Sequence, residues 1–174
     1  MKGFDIVRAA QIELKQEVTR NDALVIMNWM ENNEVTKYLN EASNITQEIK
    51  EAIDRVNMYI MTHLFNRDGS FYLIHSDNDP MGFLKLVRRS NEVEMVIVIG
   101  SQNNWGQGWG QASIRKGLDI AFFQWRTKRV IAKIDPANTR SIKAFENIGF
   151  VLEKEQANNL LYSLSFDDYL AKLI

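Results

Sequence analysis

Three glycines alternate with other residues in the segment NWGQGWGQ, residues 104–111 of a 174-residue chain: Gly106, Gly108 and Gly110. Glycine lets a backbone turn through conformations closed to other residues, and it lets main chain approach a ligand closely. The apolar run MVIVI, residues 95–99, leads into this loop. Beyond it, Ile114, Leu118, Ala121, Phe122 and Trp125 recur at helical spacing. A helix that opens directly after such a loop presents unpaired N–H groups and the positive end of its dipole. That combination suits an anion such as a diphosphate. A glycine-rich turn with no ligand is the plain alternative. Two familiar phosphate loops fit poorly. A Walker loop closes on Lys-Ser/Thr, which does not follow here. The dinucleotide fingerprint needs a glycine at 111 or 113, where Gln111 and Ser113 stand. Asp135 could still imitate its ribose-binding acid, so a dinucleotide-binding oxidoreductase is weakened and not excluded.

Residues 94–110, EMVIVIGSQNNWGQGWG, resemble the acetyl-CoA motif of GNAT N-acetyltransferases, in the branch written E-I-G-I-x-I-G-x-x-x-x-W-G-x-G-Y-G. Residues 136–150, PANTRSIKAFENIGF, resemble the second motif of the same family, and the two occur in the family's order. The resemblance spans about residues 12–166 and points to the ribosomal-protein alanine and polyamine acetyltransferase branch. It implies an acetyl-CoA-dependent N-acetyltransferase, with acetyl-CoA as cosubstrate and no metal. Gly106, Gln107, Gly108, Trp109, Gly110 and Gln111 match the loop whose N–H groups bind the diphosphate. In the family, the strand before the loop carries a bulge, splays from its neighbour and lends its backbone to the pantetheine arm. Val98, Ile99 and Gly100 map to that edge. Asn138 matches an asparagine that contacts the arm, and it also suits a helix N-cap. The family's Arg or Gln at the loop start is Trp105 here, which removes one side-chain contact to phosphate.

Transfer to an amine needs a base, because an alkylammonium must lose a proton before it attacks. Glu94 matches the motif's Glu, and Glu92, two residues back on the same strand face, is a fallback. The departing thiolate needs a proton. Many family members use a Tyr in the second motif, but Phe145 occupies that position. Ser141 is therefore the donor candidate, with Tyr162 behind it. Trp29, Tyr38, Phe71 and Tyr162 are candidates to line the acceptor cleft, although each also suits a core. His63 and His75 receive no role. Asp167 and Asp168 read as a solvated chain end that could attract a cationic acceptor. The acceptor stays open among protein N-termini, polyamines, amino sugars and antibiotics. A non-catalytic CoA-binding module on the same fold is the second reading, motivated by Phe145 and Trp105.

The elements that must position these groups can be read from patterning. Residues 12–18 alternate as a strand. Asn21-Asp22 starts a helix over 23–30, and residues 34–39 add a turn. Thr46 caps a helix to about His63, with the stripe Ile49, Ile53, Val56, Ile60 and Leu64. Residues 71–75, 81–88 and 92–99 form an antiparallel meander. A helix over 108–124 and a strand over 129–134 complete a parallel crossover. Asn138 opens a helix that ends at Gly149, and strands at 150–155 and 160–166 follow. The fold is therefore α+β: one domain over residues 1–174, with a mixed, mainly antiparallel sheet and helices on both faces.

Composition agrees with one ordinary domain. The chain has 45% hydrophobic and 25% charged residues and a net charge of −1. That balance predicts no attraction to nucleic acid or anionic membrane. With no cysteine, thiol nucleophiles and thiolate metal sites are excluded, and a reducing cytoplasm fits. The first residues, MKGFDIVRAA, lack the apolar stretch of a secretory signal. No run approaches a membrane span. A homodimer is a possible partner state that the sequence leaves open.

Overall fold

The computed structural model describes residues 11–39, 42–55 and 57–174. Seven strands form one sheet in the order β1-β2-β3-β4-β5-β7-β6. They are β1 (Ile12–Lys15), β2 (Ser70–Ser76), β3 (Asp79–Arg89), β4 (Glu92–Ile99), β5 (Arg129–Ile134), β6 (Val151–Glu155) and β7 (Leu160–Ser165). All neighbours are antiparallel except β4 and β5. Among the described residues seven α-helices pack on the two faces: α1 (Arg20–Glu31), α2 (Asn33–Thr36), α3 (Ala42–Arg55), α4 (Thr62–Phe65), α5 (Trp109–Asp119), α6 (Thr139–Ile148) and α7 (Phe166–Leu173).

Each face buries its own core. On one, α5, α6 and α7 cover Leu84, Leu86, Val93, Met95, Val130 and Leu164. Gly117 sits where an added Cβ would stand 2.7 Å from Leu84 and 2.9 Å from Met95, so α5 lies hard against the sheet. The final turn of this helix widens over Ile120–Gln124, with Trp125 N–H reaching Ile120 C=O at 2.9 Å. On the other face, Ile26 and Met30 of α1, Ile49 and Ile53 of α3 and Phe65 of α4 cover Phe71, Leu73, Phe83 and Val98. Truncating a fully buried Leu such as Leu84 in such a core costs about 2–5 kcal/mol.

The caps explain most helix boundaries. Thr19 and Asp22 form a reciprocal capping box that starts α1, an arrangement contributing about 1 kcal/mol. Asn138 accepts from Ser141 N–H at 3.2 Å and starts α6, and Gly149 at φ 122° ends it.

Four expectations need correction. Asn21-Asp22 does not open α1, which begins at Arg20 on the Thr19 cap, because the Thr19 hydroxyl takes the Asp22 N–H. The long helix to His63 breaks after Arg55: Ile60 bridges to Thr19, and Met61 N–H bonds Val18 C=O at 2.7 Å. Backbone pairing across this join outweighs the apolar stripe, whose Val56 lies outside the described residues. Thr46 falls inside α3 and does not open it. Asp167 and Asp168 form the first turn of α7, where Ser165 caps by accepting from Asp168 N–H at 3.1 Å.

Candidate functional site

The site begins with an edge that has no partner. β4 pairs with β3 without a break, from Arg89 opposite Glu92 to Gly82 opposite Ile99. On its other edge β4 meets β5 only at Val93 opposite Val130 and Glu94 opposite Ile131. From Met95 onward the parallel strands diverge and leave a slot. The family-based expectation of a bulge in β4 does not hold: its register with β3 is unshifted, and Val93, Met95, Ile97 and Ile99 share one core while Val98 enters the other. The splay arises without it.

Backbone orientation follows from one bond. Gly100 N–H donates to Met81 C=O at 2.8 Å, toward β3. Alternation along the strand then turns the polar groups of Ile99 and Ile97 toward the slot. The Ile99 carbonyl accepts a bond from the Trp105 indole at 2.9 Å. Gly100 itself packs under Trp29, whose ring lies 2.2 Å from where a Cβ would be. Glycine there serves close packing.

The slot opens into a cavity of about 340 Å³, within the size range of small-molecule sites. Ile97, Val98 and Ile99 form one wall. Trp105, Gly106, Gly108, Trp109, Gly110 and Gln111 form the end wall. Asn138, Arg140, Ser141, Lys143 and Ala144 of α6 and the residues just before it face them. Val35, Tyr38 and Leu39 close the remaining side, and the Tyr38 hydroxyl donates to Ala137 C=O at 3.3 Å.

The loop conformation accounts for its glycines. Gly106 has φ 72° and Gly108 φ 86°, in the left-handed region that other residues avoid. Gly108 caps α5 without a side chain, and the first intrahelical bond runs from Ala112 N–H to Gly108 C=O. Gly110 and Gln111 precede that bond, so the helix leaves their N–H groups unpaired. Nothing lies within 4 Å of a Cβ built on Gly110, although this glycine lines the cavity. The protein's own packing does not require glycine at that position.

Charge is one-sided here. Arg140 and Lys143 line the cavity, and among the described residues no Asp or Glu does. The Arg140 guanidinium lies 3.4 Å from the Trp105 ring centroid, a cation–π stack. Burial lowers the Arg140 pKa, and nearby Tyr38 opposes that shift. The group remains a cation, since arginine does not deprotonate in proteins. Sequence reasoning missed Arg140. It treated Trp105 as the loss of a phosphate contact, whereas the fold brings a cation back onto that tryptophan from α6.

The acid–base candidates separate. Ser141 is half-buried and lines the cavity, and no partner is seen for its hydroxyl among the described residues. Phe145 points away, edge-on to Phe150 at 4.9 Å in the core. Tyr162 is buried and donates to Glu146 at 2.9 Å; burial, then Glu146, raises its pKa. It does not line the cavity. Glu94 lies outside the lining as well, at the closed end of the slot. Its carboxylate meets Arg89 at 3.0 Å and Lys133 at 3.5 Å. Glu92 is engaged by Arg129 at 3.0 Å. Gln107 turns its amide to Asn103 C=O and is not part of the lining. Of the aromatic candidates only Tyr38 reaches this cavity. Phe71 and His63 border a second hollow beneath α1 and α3. His75 is buried in β2.

Residues 14–151 match the family model described as an acetyltransferase (GNAT) domain. The chain belongs to the GNAT acetyltransferases. As a member it is an acetyl-CoA-dependent acetyltransferase. It is 29% identical over 138 residues to an uncharacterized N-acetyltransferase, p20, of Bacillus licheniformis, covering 76% of this chain and 75% of that protein. The GNAT fold is shared with the aminoglycoside acetyltransferase AAC(6')-Ib solved with coenzyme A, at TM-score 0.76, 13% identity and 94% and 99% coverage. It is shared too with spermidine N-acetyltransferase from Vibrio cholerae solved with CoA and spermine, at TM-score 0.72, 18% identity and 92% and 99% coverage. Among the described residues, no helix of this GNAT chain is long and apolar enough to cross a membrane.

Proposed function

We propose that this GNAT chain binds acetyl-CoA in the β4–β5 slot and transfers the acetyl group directly to a primary amine. The observation that carries the reading is the unpaired edge of β4 running into a loop with unpaired N–H groups. Unpaired backbone polar groups are normally satisfied, and an extended amide-bearing arm satisfies a strand edge as an added strand would.

The residues fit the group. Val98 and Ile99 belong to the wall along which the pantetheine arm lies. Gly106, Gly108, Trp109, Gly110 and Gln111 surround the diphosphate, with Gln107 and Gly100 shaping the loop and the strand end behind it. Asn138 faces the arm while its side chain caps α6. Bound there, the thioester supplies an acyl group already activated toward amines, so the protein contributes placement and proton handling. Ser141 holds a hydroxyl free to donate a proton to the departing sulfur. Glu94 stands at the narrow end of the slot, about 10 Å along the strand from Ile97. A proton from the amine reaches it through ordered water, and Arg89 and Lys133 hold its carboxylate in place.

The acceptor is an amine-bearing small molecule or a protein N-terminus. Two neighbours of the same fold, acting by name on aminoglycoside and spermidine, support the amine class. The test is thiol release from acetyl-CoA against a panel of aminoglycosides, polyamines and N-terminal peptides. Turnover with at least one amine is expected. Tight CoA binding with no turnover on any would favour the non-catalytic module, for which the buried, hydroxyl-free Phe145 is the supporting observation.

A further inference from the structure

We infer that Arg140, held on the face of Trp105, is a phosphate-binding residue for the coenzyme, replacing from α6 the side chain that the loop lacks. The inference rests on the cavity being the CoA site and adds to that reading a specific residue and partner.

Three observations carry it. First, among the described residues the lining is cationic at Arg140 and Lys143 and carries no carboxylate, a balance that favours an anion. Second, Arg140 is fixed. Its guanidinium lies over the Trp105 ring at 3.4 Å, and the Trp105 indole N–H is anchored on Ile99 C=O at 2.9 Å. One tryptophan therefore ties the strand edge, the loop and the cation into one rigid unit. Third, Arg140 has no ion pair among the described residues, while Glu146, two turns along α6 from Arg140, is taken by Tyr162. A planar guanidinium matches phosphate oxygens in a bidentate way that an ammonium does not. Arg140 and Lys143 are both exposed, but only Arg140 lies on a ring, so Lys143 serves as the internal comparison.

The experiment measures the affinities of CoA, 3'-dephospho-CoA and pantetheine by calorimetry for the wild type, Arg140→Ala, Arg140→Lys, Lys143→Ala and Trp105→Phe. Arg140→Ala is expected to weaken CoA binding roughly tenfold and pantetheine binding not at all. Arg140→Lys recovers only part of the loss, and Trp105→Phe, which keeps a ring face, costs less than Arg140→Ala. A loss confined to CoA assigns Arg140 to the 3'-phosphate, and an equal loss with dephospho-CoA assigns it to the diphosphate. An effect below twofold, an equal weakening of pantetheine, or a larger effect from Lys143→Ala overturns the assignment alone. Failure of the wild type to bind CoA overturns the cavity reading and this one with it.

Discussion

Along one edge, β4 pairs with β3 for its whole length, from Glu92 to Ile99; along the other, it meets β5 at Val93 and Glu94 and then parts from it. The two edges belong to the same eight-residue strand, EVEMVIVI, so local propensity cannot account for the difference. The cause is what flanks them. β3 and β4 are joined by a tight turn at Ser90 and Asn91, and the left-handed Ser90 at φ 49° sets their register. β5 arrives by way of the glycine loop and α5, a crossover that imposes no such register. The paired edge serves stability. In the proposed function the unpaired edge is a recognition surface made of main chain, a role that plain aliphatic side chains suit.

The largest effect is expected where the paired edge is attacked. Gly82→Ala places a Cβ 2.0 Å from the Val98 carbonyl. We expect about 3 kcal/mol or more of destabilisation, read from denaturant midpoints, with CoA binding lost alongside. An unchanged midpoint would contradict the tight β3–β4 approach. Gly108→Glu attacks the other side. It forces a side chain into φ 86° and brings negative charge to the anion end. CoA affinity is expected to drop at least ~100-fold, or roughly 2.8 kcal/mol; retained affinity would move the diphosphate elsewhere.

The proton groups come next. Ser141→Ala is expected to lower kcat by about 10²-fold with CoA affinity kept. Glu94→Gln is expected to slow turnover most at low pH, where the amine is most protonated and most needs a base. A pH–rate profile parallel to wild type would remove Glu94 from that role and leave it as a partner of Arg89 and Lys133.

The smallest effect lies remote from the slot. Burial, then Asp119, raises the pKa of Tyr169 far above the usual 10, and burial also raises Tyr72 and Tyr162. A raised phenol pKa favours the protonated native state, so this stability is complete below about pH 10 and falls as pH climbs past it, by up to ~1.4 kcal/mol per pH unit and group. Urea midpoints from pH 8 to 11 should show that decline, and Tyr169→Phe should flatten part of it.

Much of the paired framework was legible in the residues. The strand at 92–99, the strand at 129–134 and the helix between Asn138 and Gly149 stand where alternation and caps put them. Local signals failed where tertiary bonds competed. The Ile49–Ile53–Ile60–Leu64 stripe reads as one helix, yet Ile60 is extended because Thr19 pairs with it. The start of α7 was marked by Ser165 followed three positions on by Asp168, a capping signature read instead as a solvated end. The glycine loop and Ser141 were visible as motifs, and the fold sets them around one cavity. Arg140 carried no such mark. Its meeting with Trp105 joins two segments 35 positions apart, and no spacing within either segment reports it.

Trp105 touches a strand carbonyl through its nitrogen and a cation through its ring, and Trp109 lines the same cavity. Indole light emission responds to nearby charge, so with the coenzyme in the proposed slot these tryptophans would act as an optical gauge of its occupancy. Titrating CoA and watching the emission change, with Trp105→Phe dimming the response, follows loading in real time without a label.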